Sequence, residues 1–239
     1  MRKFSKNKAT IIIPVFNEKN YINEIINRVK KDVNFKKQII IVDDCSSDGT
    51  KDIIKKIGNI DKIIFHKKNL GKGAAIKSAI PYIKGDIVII QDADLEYNPR
   101  DLNKLIQILI SKDYKVIYGS RVLNKKRYNN YFISNFRTFG NHILTFISNY
   151  LNNQKLTDAH TCYKIFKSEI FVKLNLQEND FAFCPEVTTK ISLLHEKIKE
   201  VPISYKGRTI REGKKIGFYD AIRALITLLK YRYFYKSNL

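Results

Sequence analysis

No stretch of about 18 uninterrupted apolar residues occurs anywhere in the 239-residue chain, which speaks against a membrane-spanning helix. The opening MRKFSKNKAT leads straight into IIIPVF, a run too short for a signal h-region or a span. The chain therefore reads as soluble or peripheral. Cysteine is scarce: Cys45, Cys162 and Cys184 form an odd count at wide spacings, with neither a zinc pattern nor a disulfide framework. A reducing cytosol suits them best, each as a small packing residue. No Pro/Gly/Ser linker, internal repeat or low-complexity segment divides the chain. Acidic residues are also few, 23 against 44 Lys and Arg, for a net charge of +21. Such a charge fits nucleic acid, a phosphorylated substrate or an acidic membrane surface. The basic residues are spread along the chain, so charge alone carries little weight beyond a lean toward an anionic surface. Hydrophobic residues make up 44%, enough for a real core.

What is present is an alternation of short apolar runs and helical patterns in the first half. Strands are expected at Thr10–Val15, Gln38–Val42, Lys62–Phe65, Asp86–Gln91 and Lys115–Tyr118. Helices are expected at Glu18–Lys31, Gly49–Ile57, Gly73–Ile83 and Pro99–Ser111. Strands separated by helices make βαβ units and a mostly parallel α/β sheet, whose ligands bind beyond the carboxyl ends of strands. The second half differs. Tyr131–Leu151 is apolar and aromatic, Leu156–Phe166 is a polar cluster running into a strand-like stretch, Glu186–His195 reads as a helix, Lys199–Ser204 as a strand and Asp220–Tyr235 as a helix.

Three strand ends carry polar clusters. In Asp92-Ala93-Asp94, residues two apart point the same way where the chain stays extended. Two carboxylates there suit Mg²⁺ or Mn²⁺, hard cations that share oxygen ligands with substrate phosphates. Glu96 is either a third oxygen ligand or a solvated acid. Asp43 and Asp44, after the second strand, can accept hydrogen bonds from a ribose or a base N–H, while Asp48 reads as a helix cap. Pro14-Val15-Phe16-Asn17-Glu18 ends the first strand, and Glu18 either caps a helix or meets a ligand. Gly71-Lys72-Gly73 opens a helix and favours anions, without being a Walker loop.

The order P-V-F-N-E, V-D-D-x-S-x-D-G-T, G-K-G-A-A and D-A-D resembles the family 2 glycosyltransferases of the GT-A fold. More narrowly, QDADLEYNP (Gln91–Pro99), YGSRVL (Tyr118–Leu123), TDAHTCYKIF (Thr157–Phe166), FAFCPEV (Phe181–Val187) and VPISYKGRTIREGKKIG (Val201–Gly217) resemble dolichyl-phosphate mannosyltransferases and bacterial polyprenyl-phosphate relatives. The resemblance spans about residues 8–232, one domain with a nucleotide-sugar half (8–122) and an acceptor and membrane-interface half (123–232). It implies that Pro14, Phe16 and Glu18 border the nucleotide, with Phe16 where the family usually has tyrosine. It implies that Asp44, with Asp43, meets base or ribose, and that Asp92 and Asp94 bind metal and diphosphate, with Ala93 between them and Gly71 and Lys72 beside the donor. At the position of Glu96 the mannosyltransferases often have glutamine.

Arg121 is placed to reach a phosphate, for which its planar fork is suited. Lys164, Arg208, Lys214 and Lys215 are further phosphate candidates, Arg208 the strongest; Lys214 and Lys215 fall in a loop able to close over the donor. Arg137, among aromatics, marks either a phosphate site near lipid or a snorkelling cation. Asp158 and His160 read as packing or acceptor-positioning residues. Glu186 is either a base or, as favoured, a helix-start charge.

The resemblance implies hexose transfer from GDP-mannose or UDP-glucose to a polyprenyl or dolichyl phosphate, by direct displacement with inversion. A lipid phosphate is already an anion and needs no strong base, so positioning and charge stabilisation carry the chemistry. The helical segments Tyr131–Leu151 and Asp220–Tyr235 would then lie in a membrane interface, at its cytoplasmic face. A sugar-hydroxyl acceptor would require a base such as Glu186. A sugar nucleotidyltransferase would require a Gly-rich N-terminal phosphate loop that Ile11–Glu18 lacks, and a nucleic-acid binder would require a recognition module that is not evident.

Overall fold

The computed structural model describes residues 4–123, 135–208 and 218–235, with backbone alone for 135–139 and 218. Its centre is a seven-stranded sheet in the order β3-β2-β1-β4-β6-β5-β7. The strands are β1 (Ser5–Val15), β2 (Lys36–Asp43), β3 (Lys62–Phe65), β4 (Gly85–Ile90), β5 (Val116–Ser120), β6 (Lys164–Lys167) and β7 (Ile198–Pro202). Strands β1 to β4 are parallel to one another, and β7 is parallel to β5. The central strands are continuous isoleucine and valine runs because helices cover both faces; Ile11, Ile12, Ile13 and Ile87 to Ile90 are wholly or almost wholly buried. Each such side chain contributes about 1.5–3 kcal/mol of burial.

The helices are α1 (Ile22–Asp32), α2 (Thr50–Lys56), α3 (Lys72–Ala79), α4 (Asp101–Ser111), α5 (Asn135–Asn152), α6 (Ser168–Lys173), α7 (Phe183–Leu193) and α8 (Phe218–Leu229). In α1 the buried Ile22, Ile25, Ile26 and Val29 form one stripe, with Glu24 in the first turn and Lys30 and Lys31 in the last, as the helix dipole favours. Leu102, Leu105, Ile106 and Leu109 do the same for α4. Helix α1 starts at Ile22 rather than Glu18, because residues 19–21 form a turn. Helix α3 ends at Ala79 and tightens into a 3-10 turn at Ile80–Tyr82, where Pro81 lacks the N–H that an α-helix needs. A five-residue π turn (Lys230–Phe234) continues α8. Among the described residues no helix is long and apolar enough to cross a membrane.

Strand β6 is antiparallel to both neighbours, pairing Ile89 with Ile165 and Tyr118 with Lys164. It begins where β4 and β5 end. The loop before it, residues 157–163, therefore shares an edge with the residues that follow β1, β2, β4, β5 and β7. The chain crosses from the β1–β2–β3 side to β4 between β1 and β4, the switch point at which open α/β sheets bind ligands.

Candidate active site

Strand β1 delivers Pro14 to Glu18, and β4 beside it delivers Gln91 to Asp94. The Gln91 N–H donates to the Ile12 carbonyl at 2.9 Å, keeping the chain extended up to the acids. Leu95 then takes φ 60°, and the Glu96 N–H donates to Asp94 Oδ1 at 3.1 Å, so the chain turns sharply just past the acid pair. Ala93 is buried between the two aspartates.

Each aspartate has its own cation. Lys72 Nζ, at the start of α3, donates to Asp92 Oδ1 at 2.5 Å. Burial opposes the Lys72 charge, but the Asp92 carboxylate outweighs it and holds the ammonium above its usual pKa. Arg208 Nη2 donates to Asp94 Oδ2 at 3.2 Å. The same guanidinium grips Glu18, Nη1 to Oε2 at 2.9 Å and Nη2 to Oε1 at 3.1 Å, and lies 5.4 Å from the Tyr21 ring. Burial and the charges of Asp92 and Glu96 push the Asp94 carboxyl up to about 7, with Arg208 pulling the other way.

Glu96, expected as a third oxygen ligand or a solvated acid, is buried and hydrogen-bonded here. Its Oε2 accepts from the Tyr205 hydroxyl at 2.7 Å and its Oε1 from the Arg208 N–H at 2.7 Å, while its carbonyl accepts from the Lys206 N–H at 2.9 Å. It anchors the Tyr205–Arg208 segment. Among the described residues no group of three or more His, Cys, Asp or Glu side chains is arranged to hold a metal ion. The paired carboxylates of Asp92 and Asp94 are of the type that would suit a divalent cation sharing its shell with substrate oxygens.

The Gly71-Lys72-Gly73 turn is built by Asp44. Its Oδ2 accepts from the Gly71 N–H at 2.7 Å, and its Oδ1 from the Leu70 N–H at 2.9 Å. His66 Nδ1 lies 2.7 Å from Oδ1, and its Nε2 lies 2.9 Å from Ser78 Oγ. Asp44, expected against base or ribose, shapes the loop from behind in this structure. Asp43, wholly buried, accepts from the Ser46 N–H at 3.2 Å through Oδ2, while its Oδ1 has no hydrogen-bond partner. Gly71 has φ +97°, and a Cβ there would sit 2.4 Å from the Asn179 carbonyl oxygen. Asp48 bonds the Thr50 N–H at 3.0 Å, although the cap position itself is Gly49.

Strand β5 leads into a third cation. Arg121 donates from Nε to Asp158 Oδ2 at 2.6 Å and from Nη2 to Asp158 Oδ1 at 2.7 Å, and lies 5.1 Å from the Tyr205 ring. Burial works against the Asp158 charge, but Arg121 outweighs it and holds the carboxyl at about 2. Glu200 on β7 accepts from the Thr157 and Asp158 N–H groups, at 2.7 and 2.9 Å, and so fixes that loop. His160 follows on it; burial first, then the Lys164 charge, lowers its pKa to about 4, and its Nε2 has no hydrogen-bond partner.

Lys164, expected as a phosphate ligand, is turned inward. It is wholly buried, and Nζ donates to the Ala159 carbonyl at 3.0 Å and the Thr161 carbonyl at 2.5 Å, 4.3 Å from the Tyr118 ring. A desolvated ammonium needs such acceptors, and here they brace the 159–161 loop from within. Glu186 is buried too, bonded to Lys190 Nζ at 2.7 Å and to the Gln177 and Glu178 N–H groups at 2.6 and 2.9 Å. It opens no path for a base to an acceptor hydroxyl. Lys214 and Lys215 lie outside the described residues, as does the side chain of Arg137 on α5. Tyr205 and His66 were not foreseen; the signal for each is its place just past a strand on the edge that carries the acids.

The comparisons with known proteins agree. Residues 10–174 match the family model of Glycosyl transferase family 2. An uncharacterized protein of Methanocaldococcus jannaschii is 31% identical over 85% of this chain and 83% of its own. A dolichyl-phosphate beta-glucosyltransferase of Trichomonas vaginalis is 26% identical over 97% of this chain and 75% of its own. A UDP-N-acetylglucosamine–dolichyl-phosphate N-acetylglucosaminyltransferase of Methanococcus voltae is 29% identical over 90% of this chain and 94% of its own. The crystal structure of glucosyl-3-phosphoglycerate synthase from Mycobacterium tuberculosis superposes with a TM-score of 0.72 at 16% identity, covering 98% of this chain and 83% of that one. The same enzyme with Mn²⁺ and UDP-glucose gives 0.70 at 17%, covering 98% and 82%. An acid pair beyond β4 at the switch point of a GT-A sheet, within a matched span of this length, makes the chain a member of glycosyltransferase family 2.

Proposed function

We propose that the protein transfers a hexose from a nucleotide diphosphate sugar to a polyprenyl or dolichyl phosphate, with inversion at the anomeric carbon. The observation that carries this reading is the pairing of two anion sites on one sheet edge. Asp92 and Asp94, with Lys72 and Arg208, form the donor side; Arg121, held by Asp158, forms the acceptor side. The named activities of the Trichomonas and Methanococcus relatives support a dolichyl-phosphate acceptor.

In this reading an acceptor phosphate oxygen, oriented by Arg121, attacks the anomeric carbon while the bond to the donor diphosphate breaks. Lys72 and Arg208 bind the departing diphosphate, Pro14, Phe16 and Glu18 border the nucleotide, and Asp43 meets its base or ribose. A Mg²⁺ or Mn²⁺ ion held by Asp92 and Asp94 would supply further positive charge to that leaving group; the Mycobacterium enzyme with Mn²⁺ and UDP-glucose supports this assignment. The acceptor phosphate is already an anion, so the commitment of Glu186 to Lys190 leaves the mechanism intact.

Helices α5 and α8 pack together and support work at the cytoplasmic face of a membrane. Ile143, Phe146 and Tyr150 on α5, and Tyr219, Ile222, Ile226, Leu229 and Tyr233 along α8 and its π turn, are exposed at helical spacings. Arg223 and Lys230, exposed on α8 and its π turn, are paired with Asp180 and Glu178, so the apolar and aromatic side chains carry the membrane reading. The test is thermal stabilisation by a panel of nucleotide sugars with Mg²⁺ or Mn²⁺, followed by product analysis with a polyprenyl phosphate in anionic liposomes. Stabilisation by one donor and formation of a lipid-linked sugar are expected; donor hydrolysis alone, or transfer only to a sugar hydroxyl, refutes the acceptor assignment.

A further inference from the structure

We infer that Arg208 is the acid pair's built-in counter-ion, which a divalent cation must displace and which then turns to the donor diphosphate. The inference rests on the proposed donor site and concerns the order in which its charges are exchanged.

Every outer oxygen that the fold offers on Asp94 is engaged: Oδ1 accepts from the Glu96 N–H and Oδ2 from Arg208 Nη2. A divalent cation binding Asp94 Oδ2 and the guanidinium compete for one oxygen, and they repel each other at close range. Arg208 is also built to move without unfolding its surroundings. Glu96 holds its backbone N–H, the Tyr205 hydroxyl and the Lys206 N–H, so the segment stays anchored whatever the side chain does. The guanidinium itself is under-bonded, because its buried Nε has no hydrogen-bond acceptor. Glu18 holds the fork by two bonds, one from Nη1 and one from the same Nη2 that reaches Asp94, and so gives it a pivot once Asp94 lets go. A planar fork released from Asp94 matches diphosphate oxygens, which accept where a carboxylate accepted before. Asp92 keeps Lys72 throughout, so the exchange involves one cation of the two.

The test measures Mn²⁺ affinity of the full chain by electron paramagnetic resonance titration, with and without saturating UDP or GDP. In Arg208→Gln, Mn²⁺ alone binds more tightly than in the wild type, on the order of tenfold, and the gain disappears or reverses with the nucleoside diphosphate present. The Mn²⁺-induced rise in melting temperature is larger in the variant, and a variant that folds only with Mn²⁺ gives the same support. Should Arg208→Gln stay unfolded, Arg208→Lys replaces it: a point charge without the fork holds Asp94 less well, and Mn²⁺ again binds more tightly. Equal or weaker Mn²⁺ binding in the variant overturns the inference and leaves the donor site standing. Failure of the wild type to bind Mn²⁺ or Mg²⁺ under any condition overturns both.

Discussion

Asp158 grips Arg121 by two side-chain hydrogen bonds and a third from the Arg121 N–H, at 2.6, 2.7 and 3.1 Å, and is itself wholly buried. The pair fixes the plane of the guanidinium that faces the acceptor side. Removing one partner leaves a buried charge uncompensated. Asp158→Asn is therefore expected to lower stability by about 3–5 kcal/mol, read by urea unfolding, and to reduce turnover more than donor affinity.

Replacing Asp94 by Ala is expected to reduce sugar transfer to background while the melting temperature stays at or above the wild-type value. Stability is preserved because a carboxyl pushed up to about 7 is already costly to ionise where it stands. Near-normal turnover in a product assay would sink the metal role.

Gly71→Ala places a side chain at φ +97° and against the Asn179 carbonyl. The backbone region is tolerated essentially by glycine alone, at about 1–3 kcal/mol for other residues. The expected result is a lower melting temperature together with a raised KM for the nucleotide sugar, since the same turn presents Lys72.

His160 sets a pH dependence. Its folded pKa of about 4 lies below the ordinary value of about 6.5. Between those values the unfolded chain binds a proton that the fold refuses, so stability falls as pH falls, by about 1.4 kcal/mol per unit. Asp94, with its raised pKa, acts in the opposite direction. The difference between wild type and His160→Gln isolates the histidine. The variant is expected to lose stability less steeply between about pH 6.5 and 5, and parallel unfolding curves would exclude the buried neutral histidine.

The parallel strands were legible because their apolar runs are buried on both faces and end abruptly in acids. Asp92, Asp94, Arg121 and Arg208 could be picked out for the same reason, as charges just beyond such runs. What was not legible depends on distance along the chain. Lys164 reads as a phosphate ligand, whereas β6 turns it inward onto two carbonyls, and the contacts of Asp44 with His66 and the Gly71 N–H join residues 22 and 27 positions apart. Arg208 meets Glu18 across 190 residues, a pairing that no local pattern encodes. The reversal at β6 has no signature in a four-residue strand.

Because β6 runs against its neighbours, the loop before it reaches the reaction edge without a crossover helix to carry it there. Residues 157–163 are fixed there by charges on three strands: Glu200 on β7, Arg121 after β5 and Lys164 on β6 itself. The shape of this short return of the chain thereby depends on three strands at once, and a change in any one of them is felt at the proposed acceptor side.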